Sequence, residues 1–145
     1  MKIIVEEPDE QEEDHVIIRC RQMDDTLLQM IQILKRKQKT LVAYQENTAF
    51  MLQPEDVFYF EAVDNHVFIY CKDSLYESKQ KLYEIELLLG EDQFFRASKS
   101  VILNLRKIKS LTPAFSGRFE ANLKNNEKIM ISRQYVPLLK QKLGL

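Results

Sequence analysis

The sequence Gln93-Phe-Phe-Arg-Ala-Ser-Lys-Ser-Val-Ile-Leu-Asn104 has apolar residues near both ends and polar residues in its middle. The apolar flanks are expected to fix the backbone in a core, so that the centre is held out to solvent on a rigid mount. That centre contains Arg96, Ser98, Lys99 and Ser100. Such a loop suits the recognition of phosphates or base edges. A strand followed by a solvated turn accounts for the same pattern.

The length and composition indicate one domain with a real core. The chain has 145 residues, and 45% of them are hydrophobic. Cys20 and Cys71 lie far apart with no metal-ligand spacing, which favours reduced thiols in a cytoplasmic protein. The N-terminal sequence reaches acidic residues after three apolar ones, so neither a signal peptide nor a membrane span is expected.

The charge is unevenly distributed along the chain. Residues 96–142 contain eleven Lys or Arg and two Glu, a formal charge of +9, whereas seven of the nine residues 6–14 are acidic. A basic region of this density attracts a polyanion, although a solvated lysine surface is the simpler alternative.

Residues 1–39 are predicted to form a small β-β-α extension. Two β-branched runs, residues 2–5 and 15–20, predict strands on either side of the acidic loop. Asp24 is a favourable N-cap for a helix whose apolar positions recur at helical spacing. Those positions are Leu27, Leu28, Ile31 and Leu34.

Residues 40–145 are predicted to form the domain that follows this extension, and its fold is expected to be mainly β with short helices, an α+β class. Residues 57–71 predict a hairpin with Asp64, Asn65 and His66 at its tip. A helix is expected at 81–89, and another near Ser132 with Pro137 in its first turn. Further strands are predicted at 41–44, 49–52, 75–78, 107–111, 118–123 and 128–131.

Catalytic motifs find no support in the sequence, and no enzyme, cofactor or small-molecule substrate is expected. There is no Gly-rich phosphate loop, no paired-Cys zinc spacing and no Gly-x-Ser-x-Gly turn. A metal site made of Asp64, His66 and Asp73 matches no known ligand spacing.

Three separated polar segments share one character. They are the hairpin tip with Asn65 and His66, the loop at 96–100, and residues 132–134 with Arg133 and Gln134. Each can donate hydrogen bonds and is framed by apolar anchors. If the sheets bring the three to one edge, they form a DNA-reading face made of loops instead of a recognition helix.

At this point the sequence resembles the LytTR-type DNA-binding domain of bacterial transcriptional regulators. The resemblance rests on five ordered blocks over residues 40–145: Phe58-Tyr-Phe-Glu-Ala-Val-Asp-Asn-His66, Phe94-Phe-Arg-Ala-Ser-Lys-Ser100 with Asn104, Lys107-Ile108, Gly117-Arg118 and Ser132-Arg-Gln-Tyr135. It implies antiparallel β-sheets with short helices. It also implies binding to promoter repeats by loops inserted into successive major grooves, with bending of the double-stranded DNA.

The resemblance also implies residue roles. Base contacts are expected from His66, Lys99, Arg133 and Gln134. Backbone contacts are expected from Asn65, Arg96, Ser98, Ser100 and Arg118. The family often has His where Ser98 stands, and a basic residue where Gln134 stands. Because Gln suits adenine and Arg suits guanine, an altered site preference is expected.

Residues 1–39 leave no room for a receiver domain, as in short stand-alone members, some of which a membrane-embedded protein restrains. We hypothesise that this extension supports a homodimer or receives such an inhibitor. The rival hypothesis is a protein-interaction module that uses its basic face on an acidic partner.

Overall fold

A computed structural model describes residues 2–12, 15–36 and 40–145. The chain divides into two compact units, residues 1–37 and 38–145. Each unit is described separately.

The first unit has one regular element among its described residues, the helix α1 at Asp25–Arg36. The predicted cap is confirmed, since the Asp24 Oδ1 atom accepts a hydrogen bond from the Leu27 amide at 2.8 Å. The predicted strands at 2–5 and 15–20 are wrong, because the described residues there form none. Their apolar side chains are exposed, and a β-branched run becomes a strand only where a neighbouring strand takes up its backbone groups.

The second unit contains a large antiparallel sheet of seven strands, in the order β2-β1-β5-β4-β3-β7-β6. The strands are β1 (Leu41–Gln45), β2 (Thr48–Leu52), β3 (Val57–Val63), β4 (His66–Cys71), β5 (Leu75–Ser78), β6 (Phe94–Ser98) and β7 (Val101–Asn104). The mainly β prediction with short helices is therefore confirmed for this unit.

A smaller antiparallel sheet follows, in the order β10-β9-β8. Its strands are β8 (Ile108–Pro113), β9 (Phe119–Leu123) and β10 (Lys128–Ile131). Helix α2 (Leu82–Leu89) lies between β5 and β6, and helix α3 (Val136–Leu143) ends the chain with Pro137 in its first turn. One-turn helices occur at Pro54–Asp56, Leu105–Lys107 and Arg133–Tyr135, whereas residues 115–117 form a turn in which Ser116 has a φ of 62°.

The two faces of the large sheet bury separate cores. On one face α2 packs Ile85 against Phe60 and Ile102. The other face packs against the small sheet and α3, with Leu103 and Leu139 among the buried side chains. The interior strands β3 and β7 are thus held from both faces of the sheet, which fixes the position of the turns at their ends.

Buried Asn104 locks the end of β7. Its Nδ2 atom donates to the Val57 carbonyl at 2.7 Å, and its Oδ1 atom accepts from the Arg106 amide at 3.0 Å. Both polar ends of this fully buried amide are therefore satisfied.

Candidate nucleic-acid interface

The β3–β4 hairpin and the β6–β7 turn lie at the same end of the large sheet. Strands β3 and β7 are antiparallel, with Glu61 opposite Val101. One residue further on, the Ala62 amide donates to the Ser100 carbonyl at 2.8 Å. The hairpin tip and the turn around Lys99 are therefore neighbours.

The segment that leads into α3 joins the same end. The Ser132 amide donates to the Ala97 carbonyl at 2.8 Å, so the helical turn Arg133–Tyr135 begins beside the end of β6. Tyr135 packs edge-on against Phe95, with ring centroids 6.5 Å apart. We call residues 64–66, 98–100 and 132–134 the polar edge.

The loop at 115–118 adjoins Arg133. Gly117 has a φ of +76°, and a Cβ atom there would lie 3.0 Å from the Arg133 Cδ atom. The backbone conformation therefore favours glycine, and a larger residue would also make the Arg133 side chain shift. The Arg118 Nε atom donates to the Phe115 carbonyl at 3.0 Å, which braces this loop and leaves Phe115 84% exposed.

The turn at 98–100 is held by several hydrogen bonds. The Ser100 amide donates to the Ser98 Oγ atom at 3.2 Å. The Arg96 guanidinium donates through Nη2 to the Lys99 carbonyl at 3.0 Å and through Nη1 to the Glu86 carboxylate on α2. The exposed Lys99 side chain thus extends from a backbone that these hydrogen bonds hold in place.

The sequence placed His66 within a three-residue tip, together with Asp64 and Asn65. In the structure it is the first residue of β4, one position beyond a two-residue tip. Asp64 and Asn65 form that tip with φ values of 48° and 65°, and Val63 pairs with His66. This geometry is typical of a tight hairpin turn that matches strand twist. The His66 Nδ1 atom lies 2.6 Å from the Glu77 Oε1 atom on β5.

The cations of the basic segment differ in how far they are engaged within the domain. Lys107 lies over the Phe58 ring and Lys140 over the Phe119 ring, with Nζ–centroid distances of 5.0 and 5.5 Å. Lys99, Arg133 and Arg118 are instead exposed at or beside the polar edge. These three are the cations best placed to meet a phosphate backbone there.

Among the residues that the structure describes, the groups whose pKa is clearly shifted lie away from the polar edge. Burial, with a hydrogen bond from Tyr59 to Glu127 as a further cause, raises the pKa of Tyr59 well above its ordinary value. Its ring stacks on Tyr70 at 4.3 Å, and burial raises the pKa of Tyr70 too. Both phenols therefore stay protonated at neutral pH and serve packing.

Over residues 2–12, 15–36 and 40–145, no group of three or more His, Cys, Asp or Glu side chains is arranged to hold a metal ion. Within the same ranges, no helix is both long and apolar enough to span a membrane. Cys20 is exposed, Cys71 is half-buried, and both are free thiols.

The model of the LytTr DNA-binding domain matches residues 47–144. The chain belongs to the LytTr DNA-binding domain family. A solved LytTr DNA-binding domain from Bacillus cereus superimposes with a TM-score of 0.70 at 25% identity, and covers 74% of this chain and 99% of that one.

Two relatives differ in length from one another. The sensory transduction protein LytT of Enterococcus faecalis is 29% identical over 109 residues, which are 75% of this chain and 45% of that protein. The chain thus spans less than half of the Enterococcus protein. An uncharacterized HTH-type transcriptional regulator of Staphylococcus aureus is 27% identical over 135 residues, covering 92% of this chain and 91% of the relative. In residues 40–145 of the LytTr chain, strands separate α2 from α3, so the two form no helix-turn-helix.

The structure brings together the base-contact candidates His66, Lys99, Arg133 and Gln134. The backbone-contact candidates Asn65, Ser98 and Ser100 lie on the same edge, and Arg118 lies beside Arg133. Arg96 is set further back, with a side chain 25% exposed.

Sequence reasoning missed two carboxylates, Glu77 and Glu86, that bind predicted site residues. The pairing of Phe68 with Glu77 offered a signal for the first, since the β4–β5 turn fixes that register. The second depends on how α2 docks on the sheet, which no local pattern specifies.

Proposed function

We propose that this LytTr family member is a sequence-specific transcriptional regulator that reads double-stranded DNA with its polar edge. The observation that carries the proposal is the meeting of three polar segments, distant in sequence, through the Ala62–Ser100 and Ser132–Ala97 hydrogen bonds. Rigid strands and helices supply the mount, and turns supply the hydrogen-bonding groups. The major groove, about 12 Å wide, admits such paired strands and their turns.

The base-reading set is His66, Lys99, Arg133 and Gln134. A good contact of this kind contributes about 1–3 kcal/mol of discrimination against the wrong base. Gln134 is exposed in the segment before α3, where a carboxamide can bind adenine in a bidentate way. We expect adenine to be favoured at the base pair it meets.

The backbone-contact set is Asn65, Ser98, Ser100 and Arg118, which lie on or beside the polar edge. Arg96 can contact the DNA backbone only with the N–H groups that do not donate to Glu86 or to the Lys99 carbonyl. Contacts on both sides of a groove hold the duplex against the edge, and we propose that this bends the DNA as the loops enter successive grooves.

Assembly on promoter repeats calls for two copies, and α1 offers a surface for pairing. Leu27 and Ile31 are half-buried, while Leu28 and Leu34 on the same helix are 44% and 38% exposed. We propose that the protein is cytoplasmic and that these four apolar side chains form the contact surface of a homodimer, or the surface that binds a membrane-embedded inhibitor. Charged substitutions at Leu27 and Ile31 should lower the sedimentation mass or abolish partner capture; unchanged mass and capture in a folded variant contradict the idea.

Selection from random duplexes at about physiological salt, followed by sequencing, tests the proposal, because non-specific binding is weak there. An enriched repeat with helical-turn spacing is expected. Gel-phasing of the enriched duplex then tests bending. If the folded protein enriches no sequence but captures an acidic protein, the DNA-reading proposal fails and the protein-interaction alternative replaces it.

A further inference from the structure

Glu77 is placed to control how His66 meets a ligand. It lies on β5 opposite Phe68 of β4, while His66 is two residues nearer the hairpin tip on the same face. Diagonal neighbours of this kind are within reach of long side chains across an antiparallel pair. The Glu77 Oε1 atom closes that diagonal to 2.6 Å from the His66 Nδ1 atom.

We propose that Glu77 is a positioning residue that determines specificity by orienting the His66 imidazole, an inference that rests on the proposed DNA-reading role of His66. An ionised carboxylate only accepts hydrogen bonds, so the proton of the pair lies on Nδ1. The Nε2 atom is then the ring nitrogen left for a base edge. The Phe68 ring, 6.3 Å from the imidazole centroid, lies along the same face and flanks the ring.

A role in folding alone explains this contact poorly. The His66 and Glu77 side chains are 60% and 47% exposed, and exposed ion pairs contribute little to folding free energy. A carboxylate beside a DNA-reading edge also repels phosphates. By orienting the His66 imidazole, Glu77 would contribute to DNA binding in a way that offsets this repulsion.

The test compares Glu77→Ala with Glu77→Gln in the full chain. Alanine removes both the charge and the acceptor, whereas the glutamine carbonyl still accepts from Nδ1. Glu55→Ala is the matched control, because Glu55 is an exposed acid in the one-turn helix Pro54–Asp56, at the end of β3 remote from the hairpin tip. Binding to an enriched duplex and to its scrambled counterpart is measured for all three variants.

Glu77→Ala should lower the ratio of cognate to scrambled affinity about tenfold, within the range of one lost base contact. Its affinity for the scrambled duplex should hold or rise, since an acid is removed. Glu77→Gln should keep the ratio of the unmodified protein. A ratio in Glu77→Ala equal to that in Glu55→Ala overturns the proposal, as do equal losses in the alanine and glutamine variants.

A nitrogen-15 NMR measurement without DNA separates this inference from the proposed function. Recorded at about pH 8.5, above the ordinary imidazole range, it should show a proton on the His66 Nδ1 atom in the unmodified protein and in Glu77→Gln. The chain has two histidines, and the signals that disappear in His66→Ala are assigned to the two ring nitrogens of His66. An unprotonated Nδ1 atom overturns the positioning role even if DNA is read. Absence of DNA discrimination in the unmodified protein refutes the proposed function instead.

Discussion

Replacing Arg96 with Gln decides whether this residue contacts phosphate or braces the reading turn. If Arg96 contacts the DNA backbone, its charge neutralises one phosphate. As a brace, it holds the Lys99 carbonyl at 3.0 Å while Glu86 holds its other terminal nitrogen. We expect the brace to dominate, because two donors are committed and the side chain is 25% exposed.

The two roles differ in magnitude and in kind. Loss of one phosphate contact lowers the slope of log K against log salt by about 0.9, which is about 3- to 4-fold in affinity between 50 and 200 mM salt. Loss of the brace frees the turn and weakens the Lys99 base contact, which is worth about 5- to 150-fold in discrimination. Arg96→Gln should therefore lower the ratio of cognate to scrambled affinity and leave the salt slope nearly unchanged.

Glu86→Ala sharpens the test because charge and bracing act in opposite directions. Removing an acid near the polar edge should tighten all DNA binding, whereas losing the brace should reduce the cognate preference. We expect the scrambled duplex to bind as tightly or more tightly and the ratio to fall. Glu91→Ala, at an exposed acid just after α2, is the control. A uniform loss on both duplexes in Arg96→Gln, with a shallower salt slope and a normal ratio in Glu86→Ala, would falsify the brace.

Three further predictions concern reading, folding and thiol reactivity. His66→Ala should lower the affinity for the cognate duplex selectively, whereas Arg118→Gln should lower the affinity for all duplexes alike and reduce the salt slope by about 0.9. Titration on cognate and scrambled duplexes checks both. Equal losses of affinity on the two duplexes for His66→Ala remove this residue from the base-reading set. Asn104→Ala should destabilise the domain by about 1–3 kcal/mol, because the buried Val57 carbonyl loses its hydrogen bond, and a denaturant midpoint equal to that of the unmodified protein contradicts this. Burial, with Asp56 as a further cause, raises the pKa of the Cys71 thiol from 9.0 to about 11. Its contribution to stability is therefore present below pH 9 and lost as the pH rises through 11, and alkylation at pH 8 should be slow at Cys71 and fast at exposed Cys20.

The sequence predicted elements whose signals are local. The β3–β4 hairpin follows from an aromatic and β-branched run that is interrupted by Asp64 and Asn65, which tolerate positive φ values. The start of α1 follows from Asp24, whose side chain caps the helix within one turn. The prediction of strands at 2–5 and 15–20 was wrong because a strand needs a partner strand, which composition does not specify.

The site was predictable as a set of segments and not as a set of contacts. Apolar flanks around polar centres marked the tip, the turn near Lys99 and the segment before α3. Their meeting requires the strand order β3-β7-β6, in which neighbours are distant in sequence. The pairs formed by Glu77 and Glu86 require, in addition, a strand register and a helix docking position.

The polar edge combines two demands that pull in opposite directions. Affinity for DNA grows with the number of cations facing phosphate, whereas base reading needs side chains held in one direction. His66 and Arg96 are each bound to a carboxylate, which lowers the local positive potential and at the same time orients the His66 and Arg96 side chains. Under the proposed function, the exposed side chains of Lys99, Arg133 and Arg118 are the ones left to attract DNA phosphates. Specificity and affinity should therefore respond to different substitutions: removing Glu77 or Glu86 should make the protein a stronger but less selective binder, whereas removing Arg118 should make it a weaker binder with its selectivity intact.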